Sequence, residues 1–203
     1  MPSRATKSQP RQPRRKATTR STSPRRQSAS RARHAPAFVK MAQQMEQMAS
    51  EQPAPDDAIA LLEQDHREVE GFFQEFEESE DRAEKAELAQ KICVALTVHA
   101  EIEEQRFYPR ARRAIEEADL LDEAEVEHAS LKELVGQIEQ MTQRDRLFEA
   151  KVKVLCEYVK HHVKEEENEL FPKLRSSDMD LSKVGQELAE LKLELLSKLG
   201  KKR

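Results

Sequence analysis

Two stretches of this chain repeat one frame of potential metal donors. The first runs His99-Ala-Glu-Ile-Glu103-Glu104 and reaches Phe107-Tyr108-Pro109; the second runs His162-Val-Lys-Glu-Glu166-Glu167 and reaches Leu170-Phe171-Pro172. In each copy a Glu stands four residues after the His, a second Glu follows it, and a Pro closes the frame ten residues after the His. A further His precedes each copy. His66 and His128 are 62 positions apart, against 63 for His99 and His162, so the chain reads as a duplicated pair of segments.

Residues four apart on a helix lie one turn above each other on the same face. His99 with Glu103, and His162 with Glu166, can therefore each aim a ring nitrogen and a carboxylate at one point, while His66 and His128 add two more imidazoles. Two carboxylates in an apolar seam are costly to bury unpaired, and a pair of bridged cations removes that cost. Imidazole suits iron, copper, zinc and nickel, and added carboxylates favour iron or manganese. Six protein ligands do not saturate two ions, which leaves positions for a small ligand or for chemistry. Helix bundles commonly house such centres.

The elements around these residues read as helices. A first segment over about 57–78 places Ile59, Leu62, His66, Val69, Phe73 and Phe76 on one stripe, with Asp56 or Asp57 as its cap. A second, about 81–106, aligns Leu88, Ile92, Leu96, His99 and Glu103; a third, about 121–141, aligns Leu121, His128, Leu131, Val135 and Ile138. The fourth, about 147–170, aligns Val152, Leu155, Val159, His162 and Glu166. Each His continues an apolar seam and points where the core should be. Phe38, Met41, Met45 and Met48 form a shorter amphipathic stretch before Pro53 and Pro55, one that docks on the domain or on a partner. A last helix over 181–199 contains no His and is expected outside the bundle or against a partner.

These motifs resemble the hemerythrin-like, or HHE cation-binding, family of four-helix bundles over about residues 56–175. The resemblance implies an all-α, up-down four-helix bundle; the sequence around it reads as a disordered basic tail over 1–37, a short amphipathic stretch and Pro linker over 38–55, and an extra C-terminal helix over 176–203. It places the family's ligands on His66, His99, Glu103, His128, His162 and Glu166, with both Glu residues bridging two non-haem iron ions, ahead of manganese or zinc. Where reversible oxygen carriers of this family have a fifth His, the present chain has Lys132. Its set of four His and two Glu is closer to the iron-centre repair and nitrosative-stress branch, without that branch's cysteine-bearing N-terminal domain. The implied function is binding of, or action on, oxygen, peroxide or nitric oxide in iron handling or stress response. A non-enzymatic iron or oxygen sensor or store is the alternative.

The remaining reactive residues have plainer readings. His161 and Glu165 rival His162 and Glu166 as a ligand pair, but the seam Leu155-Val159-His162 favours His162 and leaves His161 facing outward. Glu104 and Glu167 are solvated helix residues or contacts to a ligand His. Cys93 and Cys156 each stand six residues before a motif His, off its face, and read as small core residues. Tyr108 and Tyr158 read as packing at the bundle ends, with electron or proton transfer as the alternative. His34 has no assigned role.

Composition sets the wider limits. The 203 residues suffice for one domain and an appendage; 36% are charged and 4% aromatic. No apolar run is long enough to span a membrane, no secretory signal opens the chain, and two cysteines make no disulfide framework, so a cytoplasmic setting is expected. The net charge of −4 is unevenly spread. Twelve of the 35 Lys and Arg, and none of the 39 Asp and Glu, lie in residues 1–45, which makes that segment +12 and the remainder −16. Such a tail suits non-specific contact with nucleic acid or another polyanion, or an organellar address.

Overall fold

The computed structural model describes residues 36–51, 53, 55–116 and 118–201. The expected disordered tail falls, but for its last two residues, outside them. Among the described residues the chain is helical without strands. Its helices are α1 (Pro36–Glu51), α2 (Ala58–Glu78), α3 (Arg82–Ile102), α4 (Tyr108–Ala114), α5 (Ala118–Ile138), α6 (Phe148–Glu165), α7 (Phe171–Arg175) and α8 (Leu181–Lys201). A π-helical turn, Glu103–Phe107, joins α3 to α4, and a second, Glu166–Leu170, joins α6 to α7. No helix among the described residues is long and apolar enough to cross a membrane.

Local chemistry sets where the helices start. Asp57 caps α2 by accepting the Ala60 N–H at 2.8 Å, and Asp81 caps α3 by accepting the N–H groups of Ala83 and Glu84. Such a cap is worth about 1 kcal/mol. Every residue of the four predicted stripes is buried, from Ile59 and Phe76 on α2 to Val152 and Glu166 on the fourth. α2 packs on α3, α5 on α6, and α3 on α5, the neighbour order of an up-down bundle.

The outer helices are more integral than their sequences suggest. α1 and α8 pack on each other, and both also pack on α3. Phe38, Met41, Ala42 and Met45 are buried on the one side, and Val184, Leu188, Leu191, Leu196 and Leu199 on the other. α8 approaches the start of α2 so closely that a Cβ at Gly185 would stand 2.6 Å from the Asp57 carbonyl carbon. Only a residue without a side chain fits there. α8 and α1 thus close one side of the bundle, with each covering the other's apolar stripe.

Candidate metal centre

α2, α3, α5 and α6 each deliver one imidazole to the bundle axis, and the two π turns deliver the carboxylates at their first residues. His66, His99, Glu103, His128, His162 and Glu166 converge there, each at most 8% exposed. Two pairs of rings meet through their Nε2 atoms: His66 and His99 at 3.2 Å, His128 and His162 at 3.1 Å. Glu103 Oε2 lies 3.2 Å from His99 Nε2 and 3.3 Å from His128 Nε2, so one carboxylate spans both pairs. Glu166 Oε2 likewise lies 3.4 Å from His66 Nε2 and 3.6 Å from His162 Nε2.

No aligned hydrogen bond satisfies Glu103 Oε1 or Glu166 Oε2, although both atoms are buried. Acceptors left so in a core are costly. Two neutral-nitrogen pairs spanned by two such carboxylates are the donor set that divalent cations satisfy. The residues fit metal binding.

Around this inner set lies an outer ring of carboxylates, one on each imidazole. His66 Nδ1 is 2.9 Å from Glu167, His128 Nδ1 3.1 Å from Glu104, and His162 Nδ1 2.8 Å from Glu127. His99 Nδ1 faces Asp65 at 3.5 Å, the loosest of the four. A carboxylate on the outer nitrogen fixes the tautomer and turns the other nitrogen inward as a donor. The duplication governs this ring too. The Glu after each bridging position serves the lone His of the other half, and the acidic residue before each lone His (Asp65, Glu127) serves the motif His of its own half. Three of the four carboxylates also carry a fixed cation: Arg67 on Glu167, Lys192 on Asp65 and Lys132 on Glu104.

The π turns explain the aromatic-Pro ends of both frames. The Tyr108 N–H bonds back to the Glu103 carbonyl, and the Phe171 N–H to that of Glu166. Pro109 and Pro172, which lack an N–H, follow directly. The extra residue re-aims the next aromatic over the site: Tyr108 packs on His128 with centroids 5.4 Å apart, and Phe171 stacks on His66 at 5.9 Å. Only Tyr108 adds a hydroxyl, which donates to Glu166 Oε1 at 3.0 Å and stands 3.4 Å from Glu103 Oε2.

Electrostatics divide the buried groups. Burial holds His99 down to about 4 and lowers His128 as well. Burial also opposes charge on His66 and His162, but the carboxylates around them together outweigh it and both are raised: Glu166, Glu103 and Glu167 on His66, and Glu166, Glu127 and Glu103 on His162. Burial and the negative charge of Glu166 push Glu103 well above the usual carboxylate range. Glu166 stays below that range despite burial, because His162 and His66 face it. Burial and the two carboxylates raise the Tyr108 phenol.

A largely apolar cavity adjoins the four rings, walled by Val69, Leu96, Leu131, Val135 and Val159 and closed by Met45 of α1 and Leu196 of α8. Such a lining admits a small, weakly polar molecule more readily than an ionic one.

All six sequence-predicted residues come together here. His161 does not: its side chain is 63% exposed and faces Glu127 and Glu165. Glu104 and Glu167 contact the rings of His128 and His66. Asp65 and Glu127 are additions beyond the sequence-predicted set, and Tyr108, expected chiefly as packing, has its hydroxyl in the site. The signal for the first two was present, an acidic residue immediately before each lone His. Lys132 is engaged by Glu101 and Glu104, and Tyr158 is exposed. Cys93 and Cys156 are free and buried and join no group of converging donors.

A helical bundle with inward-turned imidazoles and carboxylates defines a cation-binding domain. The hemerythrin HHE cation binding domain model matches residues 57–174, more than half of the chain, and the protein belongs to that family. A protein of Nostoc sp. named DNA nickase is 33% identical over 117 residues; the match takes in 58% of this chain but only a third of that protein's length. The crystal structure of a hemerythrin HHE cation binding domain-containing protein from Mycobacterium kansasii shares the fold, with a TM-score of 0.58 at 19% identity over 70% of this chain and 88% of its own.

Proposed function

We propose that the cluster holds two iron ions, with His66 and His99 on one, His128 and His162 on the other, and Glu103 and Glu166 bridging them. The protein then binds or acts on oxygen, peroxide or nitric oxide in iron handling or in the response to oxidative or nitrosative stress. The observation that carries this reading is the inward turn of four Nε2 atoms around two carboxylates with unsatisfied buried oxygens. Iron at such a site supplies redox and small-ligand chemistry. The chain's own part is to fix four neutral imidazoles through Glu167, Asp65, Glu104 and Glu127, to hold a proton between Tyr108 Oη and Glu166 Oε1, and to keep the approach apolar. Metal analysis and an absorption spectrum of protein purified in air test it. Two irons per chain with near-ultraviolet charge-transfer bands are expected. A protein that stays metal-free after anaerobic reconstitution with ferrous ion overturns it.

A second reading rests on a separate observation, the +12 charge of residues 1–45. It makes the domain an iron or oxygen sensor or store whose tail contacts nucleic acid or another polyanion. The name of the Nostoc relative points the same way. Binding of DNA without any small-molecule turnover favours it.

A further inference from the structure

The four imidazole–carboxylate pairs around the centre are not alike at their outer edge. Arg67, Lys192 and Lys132 neutralise three of the carboxylates. Among the described residues no Lys or Arg pairs with the fourth, Glu127. His161 faces it instead: its Nε2 lies 3.4 Å from Glu127 Oε1 and 3.2 Å from Glu165 Oε1. One donor atom from each of Glu127, His161 and Glu165 falls within 4.8 Å of the others. A shallow surface depression lined by Asp122, Glu123 and Val126 with these three residues opens the group to solvent.

From this difference we propose a second, surface cation site formed by Glu127, His161 and Glu165, which takes one divalent transition-metal ion where the other three quadrants carry a built-in cation. One imidazole and two carboxylates suit manganese, ferrous iron or zinc, and water supplies the remaining ligands of so exposed an ion. The duplication gives the second argument. In the first half the positions matching His161 and Glu165 are Val98 and Ile102, both buried in the core. In the second half that position is open to solvent, with the His161 side chain 63% exposed, and the pair there is a His and a Glu one turn apart, with His161 against Glu127. The same Glu127 meets His162 Nδ1 at 2.8 Å with its other oxygen, so an ion held outside is one carboxylate away from the buried centre.

The site rests on the reading above for its link to the centre but not for its own ligands, and one experiment separates the two. Full-length protein is loaded with zinc, desalted, analysed for bound metal, then titrated with Mn²⁺ while free Mn²⁺ is read by electron paramagnetic resonance. The wild type is expected to keep two zinc ions and take up one Mn²⁺ per chain. A His161→Asn, Glu165→Gln double variant is expected to keep its zinc and lose that Mn²⁺ uptake. If the wild type keeps two zinc ions but takes up no Mn²⁺, or if both proteins take it up equally without losing zinc, the surface site is wrong and the buried centre stands; a third zinc ion kept by the wild type and absent from the variant supports the surface site as Mn²⁺ uptake would. If the double variant loses its zinc, His161 and Glu165 serve the buried centre, and the surface site is again wrong. A wild type that holds no zinc overturns the buried centre, and Mn²⁺ uptake absent from the variant then supports the surface site alone.

Discussion

Glu104 Oε1 lies 3.1 Å from His128 Nδ1, across the boundary between the two halves of the duplicated sequence. Glu167 repeats the contact in the opposite sense on His66 at 2.9 Å. Each half thus orients a donor that the other half supplies, and neither half makes a complete site alone.

Removing one of these orienting carboxylates is therefore expected to weaken binding without deleting a ligand. Glu104→Ala and Glu167→Ala should each lower metal affinity by about 10–100-fold. Retention during a graded chelator challenge measures this. Affinity unchanged in both variants would show that packing alone sets the ring orientations.

Glu103→Ala should lose both ions, because Glu103 reaches an imidazole of each pair. His162→Ala should lose metal, while His161→Ala should keep the buried pair, since its ring lies on the surface against Glu127 and Glu165. Elemental analysis reads all three. The reverse outcome for the two histidines would move the ligand pair to His161 and Glu165.

The convergence of the six residues is legible because a helix turns the spacing of four into a shared face, and every predicted stripe is buried as that rule requires. Asp65 and Glu127 escaped notice for a related reason. Each precedes a seam His, so it sits on the adjacent face, and there it meets the neighbouring helix's imidazole. Sequence adjacency conceals this contact between helices. Tyr108 was read as packing because nothing in an α-helical register brings it over the site, and the π turn that does so is a choice of backbone hydrogen bonds. The pairing of α1 with α8 joins residues more than 130 positions apart, beyond the reach of periodicity.

Tyr108→Phe should keep both ions, because Phe171 already fills the equivalent place in the other half without a hydroxyl. It removes the donor to Glu166 Oε1, and loss of such a buried hydrogen bond costs about 1–3 kcal/mol in the metal-free protein. Chemical denaturation of metal-free and loaded forms tests this. A variant that cannot be loaded would make the phenol a ligand.

Metal uptake should release protons and tighten with rising pH. His66 and His162 are raised, so their contribution to metal-free stability is complete below about pH 6.5 and is lost as pH climbs through their folded values. Glu103, raised as well, loses its contribution in the same direction. Cations replace those protons, so the gap in Tm between zinc-loaded and metal-free protein should widen between about pH 5 and pH 8. A constant gap would mean that the site binds metal without displacing protons.

For the tail, the cut matters. α1 begins at Pro36 and buries Phe38, so a chain starting at Pro36 removes eleven of the twelve basic residues and leaves the domain whole. Full-length protein should retard DNA of any sequence at low salt, with log affinity falling by roughly 0.9 per phosphate contact as log salt rises. The shortened chain should not. Equal retardation would place the contact on the domain.

The π turns carry one residue more than an α-helix would accept, and that surplus acts as a phase slip. Winding the same residues as an ordinary α-helix would swing Tyr108 about 100° around the axis, whereas deleting one of Gln105 and Arg106 would turn the bond from the Tyr108 N–H to the Glu103 carbonyl into an ordinary α-helical one and leave the ring over the site. His99 and Glu103, upstream of the slip, would keep their places. The inward-facing residues and the aromatics over them thus sit on separate settings of one rod, and the winding between them sets the roof of the site while leaving its floor untouched.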